Sequence, residues 1–345
     1  MPKILLYADL HIHAHRGDSK RIEDGLNCLC WIYENAVKHN VNNIVFAGDF
    51  FHHRFSLSAY AYAKACSIID QYVKMGYHTT MLLGNHDCYY EDNWSVNSLC
   101  PLKNVVTLVD RPQTITFGKD KVDFLPYTPH PSQYLTSLNS RILISHLAVA
   151  DATLNPLYDI KSVEDDSSNK EIISASAFNK WDKVWLGHYH YAQKLGKVEY
   201  IGSPMQLTFG EANQKKHIVI FDTSSLNCEY IENTQSPKFI IINDINEIPE
   251  NIEQSYLQIR SDLPLDDKFE IKKKFAKLGI REIEFCNSVN NVIQENTSSA
   301  LQNISSLFNN KEKLLDEFLK VTKLPDNINV GKLKSIALKL INDLK

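Results

Sequence analysis

Along the first half of the chain, short apolar runs repeatedly end in ionisable residues. Ile4-Leu5-Leu6-Tyr7 precedes Asp9 and His11, and Ile44-Val45-Phe46-Ala47 precedes Gly48 and Asp49. Thr80-Met81-Leu82-Leu83 precedes Gly84-Asn85-His86-Asp87, Ile142-Leu143-Ile144-Ser145 precedes His146, and Val184-Trp185-Leu186 precedes Gly187-His188-Tyr189-His190. Runs of this length, rich in β-branched residues and bounded by glycine or polar residues, are predicted to be buried strands. Two stretches with helical spacing separate the first three: Ile22, Leu26, Leu29, Tyr33 and Val37, then Tyr62, Cys66, Ile69 and Val73. The alternation predicts a largely parallel, layered α/β sheet. Ligands of such sheets bind beyond the carboxyl ends of the strands. All five polar groups fall there, so residues far apart in sequence are expected to converge on one site.

Two further strand-like runs, Val198-Glu199-Tyr200-Ile201 and Ile218-Val219-Ile220-Phe221, are expected to complete a second sheet of the same domain. A new unit starts near Pro237. Residues 239–242 and 256–259 read as strands, 267–278 as a helix and 282–285 as a strand, which makes a small α+β module. Residues 287–299, rich in Asn and Ser, read as a linker. The tail carries two helical patterns, Leu314, Leu315, Phe318, Leu319 and Val321, then Leu333, Ile336, Ala337, Leu340, Ile341 and Leu344. Leu324-Pro325-Asp326-Asn327 breaks them apart. The predicted division is therefore a sheet domain at 1–235, a cap at 236–290, and a linker with a helical tail at 291–345.

A chain of 345 residues is long enough for one sizeable core and a smaller second unit. With 43% hydrophobic and 23% charged residues it has the composition of a soluble globular protein, and no apolar run approaches the length of a membrane span. The first residues lead straight into a strand without the apolar stretch of a signal peptide, so the cytoplasm is the expected location. The seven cysteines are scattered and never spaced C-x-x-C, which argues against a disulfide framework and a thiolate zinc site; all are expected to be reduced and mostly buried. A net charge of −4 gives no global nucleic-acid signature. If DNA is the substrate, local basic groups, metals or a partner must attract it.

The polar groups at the strand ends have the chemistry of a two-metal site. Two divalent ions of hard or borderline character want oxygen and imidazole ligands, with an anionic group between them. Asp9 and His11 are two apart in an extended segment, which puts both on one face. His188 and His190 repeat the arrangement. Asp49, after Gly48, suits a bridge, Asn85 offers a neutral carbonyl oxygen, and His146 an imidazole. Each piece alone has a plain alternative: Asp-x-His as a capping turn, Gly-Asn-His-Asp as an ordinary turn. Five such pieces in order, each ending a predicted strand, point to a shared site.

Together, Asp9-Leu10-His11, Gly48-Asp49, Gly84-Asn85-His86-Asp87, His146 and Gly187-His188-Tyr189-His190 resemble the signature of the calcineurin-like metallophosphoesterases, whose fold is a two-sheet α/β sandwich flanked by helices. The resemblance implies that Asp9, His11, Asp49 and His190 hold one metal, and that Asp49, Asn85, His146 and His188 hold the other. It implies manganese as the preferred ion, with magnesium as the alternative. It also implies that His86 faces the phosphate and protonates or stabilises the departing oxygen, oriented by Asp87. Asp49-Phe50-Phe51-His52 further resembles the SbcD-type DNA repair nucleases, in which a histidine three residues after the bridging aspartate contacts the substrate phosphate. Tyr200-Ile201-Gly202-Ser203-Pro204 and Phe209-Gly210-Glu211 resemble the segment that closes their catalytic domain, and the module after Pro237 resembles their cap.

That resemblance in turn implies exonuclease and endonuclease action on DNA. An SMC-like, SbcC-type ATPase is then the partner, docked by the tail helices, within a complex that holds two nuclease copies and involves no membrane. The short layout is similar to compact phage versions, which would place it in the host cytoplasm. The competing enzyme reading is a metallophosphoesterase for small phosphate esters or cyclic nucleotides, against which His52 and the cap module argue. A non-catalytic scaffold for an ATPase is opposed by the complete ligand set. Asp9-Leu10-His11-Ile12-His13 also suits the opening of an amidohydrolase-type or PHP-type site, but those folds do not require Gly-Asn-His-Asp after two helices. His13, His15 and His53 match no ligand position and are read as solvated or supporting. Tyr89, Tyr90 and Trp94 suit base stacking and loop packing equally.

Overall fold

Alternating faces of each strand dictate the architecture. The computed structural model describes residues 2–14, 19–155, 160–161, 170–244, 252–261, 263–286, 331 and 333–334. Strands β1 (Lys3–Tyr7), β2 (Asn43–Ala47) and β3 (His78–Leu82) alternate with helices α1 (Ser19–Lys38) and α2 (Ala59–Lys74). There follow β4 (Thr107–Val109), the hairpin β5 (Gln113–Phe117) and β6 (Asp120–Leu125), the short helix α3 (Ser132–Leu135), and β7 (Ile142–His146). Next come the ribbon β8 (Thr153–Asn155) and β9 (Ile160–Lys161), then β10 (Lys183–Gly187), β11 (Gln193–Leu195) and β12 (Val198–Tyr200). The last elements are β13 (His217–Asp222), β14 (Cys228–Glu232), β15 (Phe239–Ile242), β16 (Tyr256–Arg260), α4 (Leu265–Ala276) and β17 (Glu282–Cys286).

Two six-stranded sheets result, in the orders β14-β13-β1-β2-β3-β4 and β11-β12-β10-β7-β6-β5. Strands β1 to β4 are parallel, as are β6, β7, β10 and β12; β13 and β14 add antiparallel on the β1 side of the first sheet, and β11 and β5 are the antiparallel edges of the second. The period of two sorts the side chains between layers. Ile4, Leu6, Val45 and Ala47 face the second sheet and pack with Phe124, Ile144 and Trp185. Leu5, Tyr7, Ile44 and Phe46 face the other way, against the helical layer with Leu26, Leu29 and Ile69. The second sheet's outer face, through Leu143, Val184 and Leu186, is covered by Phe178 and Trp181. This is the two-sheet α/β sandwich expected of the sequence.

Several details differ from expectation. Strand β13 does not join the second sheet; it returns to the first, antiparallel to β1, with Ile4 opposite Phe221. Its residues Ile218 to Phe221 are all buried, so its local pattern suits either sheet. In α1 the buried stripe ends before Val37, which is 39% exposed. In α2, capped by Ser58 Oγ accepting from the Ala61 amide at 3.3 Å, the fully buried residues are Ala61, Ala65 and Ile69, while Tyr62, Cys66 and Val73 are half-buried. All seven cysteines are free, but only Cys28 and Cys88 are fully buried.

The module after Pro237 is a parallel sheet, β15-β16-β17, with α4 running from 265 to 276, two residues earlier than expected. It is seated by the Arg21 guanidinium, which lies 4.9 Å from the Phe239 ring and 4.6 Å from the Tyr256 ring. Tyr256 Oη donates to Asp24 at 2.5 Å, and Arg281 pairs with Asp24 at 3.0 Å. Residues Met1–Cys286 gather into one unit and Asn287–Lys345 into another. The predicted linker lies outside the described residues, and so do the predicted tail helices apart from isolated positions in the second.

Candidate metal centre

Five strand ends deliver the candidate ligands. Asp9 and His11 follow β1, Asp49 follows β2, Asn85 follows β3, His146 ends β7, and His188 and His190 follow β10. At these ends the backbone leaves the strand sharply. Asp9, His11, Asp49 and His188 adopt φ of 53°, 47°, 65° and 100°, a left-handed region that costs a non-glycine residue on the order of 1–3 kcal/mol. Compensating bonds hold them: the Asp9 amide donates to the Gly48 carbonyl at 2.9 Å, the His11 amide to the Asp49 carbonyl at 3.1 Å, and the His188 amide to the Asp9 carboxylate at 3.0 Å. Gly48 and Gly84 permit the close approach. A Cβ at Gly48 would lie 2.2 Å from His146 Nδ1, and one at Gly84 would lie 2.2 Å from Asp49 Oδ1.

The donor atoms converge in two groups that share Asp49. On one side, His11 Nε2 lies 3.0 Å from His190 Nε2 and 3.5 Å from Asp49 Oδ2, and Asp9, His11 and His190 are close enough to share one ion. On the other, Asn85 Oδ1 lies 3.1 Å from His146 Nε2 and 2.9 Å from His188 Nδ1, and His146 Nε2 is 3.3 Å from Asp49 Oδ2. All seven residues singled out in the sequence are therefore brought together.

The chemistry of these donors fits divalent cations. His146 Nδ1 donates to the Ala47 carbonyl at 2.8 Å, and His190 Nδ1 donates to Glu211 at 2.9 Å. In a neutral imidazole the opposite nitrogen then carries a lone pair. When the ring is neutral, His146 Nε2 points a lone pair at the Asn85 carbonyl oxygen, another acceptor, and either a proton on Nε2 or a cation between them resolves the conflict. Burial opposes charge on His146, but the Asp49 and Asp9 carboxylates outweigh it and raise its pKa to about 9. Burial raises Asp9 to about 6, against the pull of His146 and His190. Asp49 is held well below the usual carboxylate range, burial notwithstanding, by His146 and His11. The pocket thus concentrates negative charge that draws in a proton or, in competition with it, a metal.

Beside this centre lie the two substrate-facing histidines of the sequence reading. His52 Nδ1 is 3.3 Å from His11 Nδ1, and His52 stacks on His13 with ring centroids 4.2 Å apart. Burial, with His13, His86 and His53 around it, lowers the His52 pKa to about 3, so the ring is neutral near pH 7. His86 lies edge-on to His11 at 4.8 Å, its Nδ1 donating to the His52 carbonyl. Asp87 does not orient His86. Its carboxylate accepts from the backbone amides of Asp49 at 2.8 Å, Phe50 at 3.0 Å and Gly84 at 2.9 Å. The reason is geometric: fully buried beneath the turn, it meets three unpaired amides before it can meet an imidazole. Asp87 therefore shapes the loop that carries Asp49. His15 lies outside the described residues.

One supporting residue had no role in the sequence reading. Glu211 is buried and holds His190 through Oε1, while its Oε2 meets Lys216 Nζ at 2.7 Å, Ser203 Oγ at 3.1 Å and the Leu207 amide at 3.2 Å. Lys216 Nζ also donates to the His190 carbonyl at 2.9 Å. Burial pushes the Glu211 carboxyl up, but Lys216 and His190 win and hold it at about 2. A carboxylate behind a ligating imidazole fixes its tautomer and raises its basicity. The sequence signal was there, a lone Glu in Phe209-Gly210-Glu211, but nothing local links it to position 190.

Exonuclease subunit 1 of Enterobacteria phage T4 is 24% identical over 242 residues, covering 67% of this chain and 68% of that one. The SbcD subunit of nuclease SbcCD from Escherichia coli strain K12 is 25% identical over 295 residues, covering 73% of this chain and 74% of that one. Among solved structures, a novel archaeal phosphodiesterase is similar at 15% identity and a TM-score of 0.36, over 67% of this chain and 99% of the other. A dimetal phosphatase from Danio rerio is similar at 9% identity and a TM-score of 0.39, over 67% and 98%. Residues 2–219, which carry every candidate ligand of the centre, match the family described as calcineurin-like phosphoesterase, and the chain belongs to that family.

Proposed function

We propose that this chain is the nuclease subunit of a DNA recombination and repair complex of the SbcC–SbcD kind, hydrolysing phosphodiester bonds at the metal centre. The observation that carries the reading is the joint presence of the seven-ligand cluster and of His52 and His86 beside it, in a chain similar over two thirds or more of its length to the SbcD subunit of SbcCD and to T4 exonuclease subunit 1. Asp9, His11, Asp49 and His190 would hold one ion, and Asp49, Asn85, His146 and His188 the other, with manganese preferred over magnesium. When bound, the pair supplies Lewis-acid polarisation of the phosphoryl oxygens and lowers the proton affinity of an attacking water.

The chain's own side chains do the rest. Neutral His52 presents an N–H to a phosphoryl oxygen without the repulsion a second cation would meet. His86 has Nδ1 committed to the His52 carbonyl, so Nε2 is the nitrogen that faces the departing oxygen; with both ring nitrogens protonated it would give its proton there and be left with the lone pair. Asp87 keeps Asp49 in register by holding its amide. The reading extends to an SbcC-type ATPase as partner, engaged by the tail, to two nuclease copies per complex, and to action in the cytoplasm. Among the described residues, no helix is long and apolar enough to cross a membrane.

The test is a manganese-dependent nuclease assay on labelled duplex and single-stranded DNA, with bis-p-nitrophenyl phosphate as a small diester and a monoester as control. Cleavage of DNA is expected, and exchange of manganese for magnesium should slow it. Rapid monoester turnover with intact DNA would replace this reading by a small-ester phosphatase.

A further inference from the structure

Six of the eleven large hydrophobic side chains exposed among the described residues crowd into two loops and the first turn of α2: Phe55, Leu57, Tyr60, Tyr89, Tyr90 and Val96. The loops are those that continue from His52 and His86. Phe55 is 74% exposed, Tyr89 46% and Tyr90 47%. Their rings form a chain: Phe55 meets Tyr89 edge-to-face at 5.2 Å, and Tyr89 meets Tyr90 at 4.9 Å. Arg54 pairs with Glu91 at 2.7 Å and ties one loop to the other. The Tyr89 amide donates to the Val96 carbonyl at 2.9 Å, which fixes the second loop on itself. Rings so exposed add little to the core, yet two ion-paired loops hold them in contact.

We propose that Phe55, Tyr89 and Tyr90 are a stacking platform for unpaired bases of the DNA strand whose phosphate lies at the metal centre, so that the substrate is a frayed or single-stranded end. The proposal rests on the nuclease reading and names the form of DNA it acts on. Proximity supports this occupant. Phe55 follows His52, and Tyr89 follows His86, by three residues, a length of chain that reaches at most about 11 Å. Stacked nucleotides of one strand are about 3.4 Å apart, so the backbone of Phe55 and Tyr89 lies within about three nucleotides, and that of Tyr90 within about four, of the histidines that face the phosphate. Every base has a π-face, so aromatic platforms hold single strands without reading sequence.

Charge points the same way. Arg54 and Lys170 share Glu91, at 2.7 Å and 3.0 Å, and Asp92 adjoins them, so this corner carries no strong positive field. A duplex held by its phosphates needs such a field, whereas stacked bases need ring faces. The contribution of the platform should therefore vary little with salt.

The experiment measures binding of the full chain, in chelator so that nothing is cut, by fluorescence anisotropy. The probes are a duplex with a short single-stranded tail, the same duplex with an abasic tail, and a blunt duplex. The parent is expected to prefer the base-bearing tail over the abasic one by about tenfold or more, at low and high salt alike. Phe55→Leu and Tyr90→Leu should each erase most of that preference, whereas Phe55→Tyr and Tyr90→Phe, which keep a ring, should retain it. Equal binding of base-bearing and abasic tails by the parent, or an undiminished preference in the leucine variants, overturns the platform while leaving the nuclease reading standing. If, with manganese restored, the parent cleaves none of the three DNAs yet hydrolyses bis-p-nitrophenyl phosphate, the nuclease reading itself has failed and the platform with it.

Discussion

Replacing Glu211 by Gln tests how far the centre depends on what stands behind it. The native carboxylate accepts the His190 Nδ1 proton at 2.9 Å with one oxygen and neutralises Lys216 at 2.7 Å with the other. A glutamine has one acceptor oxygen and one donor amide. Whichever way it turns, a donor faces either the His190 N–H or the Lys216 ammonium. Two losses result. Imidazole ligands deprived of a carboxylate partner typically lose about 10–100-fold in metal affinity, or about 1.4–2.7 kcal/mol. Lys216, buried like Glu211, is left without its counter-charge, and breaking a buried pair from one side typically costs about 3–5 kcal/mol of stability. The residual bonds of Lys216 to the His190 carbonyl, Ser203 and Gln214 keep the loss toward the lower end. Calorimetric metal titration should therefore report weakened binding of one of two ions, and a thermal melt should report a lowered midpoint. The double variant Glu211→Leu with Lys216→Met removes both charges together. It should recover much of the melting temperature but none of the metal affinity. Full two-ion affinity in Glu211→Gln would refute the claim that this carboxylate conditions His190.

Three further outcomes are expected from the same geometry. Asp49→Ala should abolish turnover and reduce metal content, since its carboxylate sits 3.5 Å from His11 and 3.3 Å from His146 between the two donor groups; retained activity would defeat the assignment. His86→Gln should keep both ions, by anomalous scattering or metal analysis, while the rate falls about a hundred- to ten-thousand-fold; loss of an ion would make His86 a ligand instead. Gly84→Ala introduces a Cβ 2.2 Å from Asp49 Oδ1 and 2.4 Å from its amide nitrogen, so metal affinity should drop although no ligand has been changed, and unaltered affinity would mean that the Asp49 loop can shift freely.

How much of this was readable beforehand depends on the range over which each feature is decided. Strands β1, β2, β3, β7 and β10 announce themselves because a buried strand is a short apolar run, and α1 and α2 because a half-buried helix repeats every three to four residues. The convergence of the candidate ligands was legible for the same reason: each ends its strand or follows it within a few residues, and the fold places strand ends together. Strands β4, β5 and β6 were not anticipated, because Thr107–Val109 is only three residues long and the apolar residues of the β5–β6 hairpin are interrupted by Gln, Thr, Lys and Asp, so neither strand contains a continuous apolar run.

The tertiary structure alone decided which partners far along the chain each residue would find. Strand β13 is apolar on both faces, so only its pairing with β1 across more than two hundred residues determines its sheet. Asp87 and Glu211 are both carboxylates near the centre, and nothing local tells them apart. One is buried under backbone amides 37 and 38 residues upstream, and the other is captured by an imidazole 21 residues away and an ammonium pressed against it. A strand or helix reflects the conformational preference of neighbours in sequence. The role of a buried charge reflects whichever donor the folded chain leaves unpaired within reach, and that is fixed only once the sheets have closed over it.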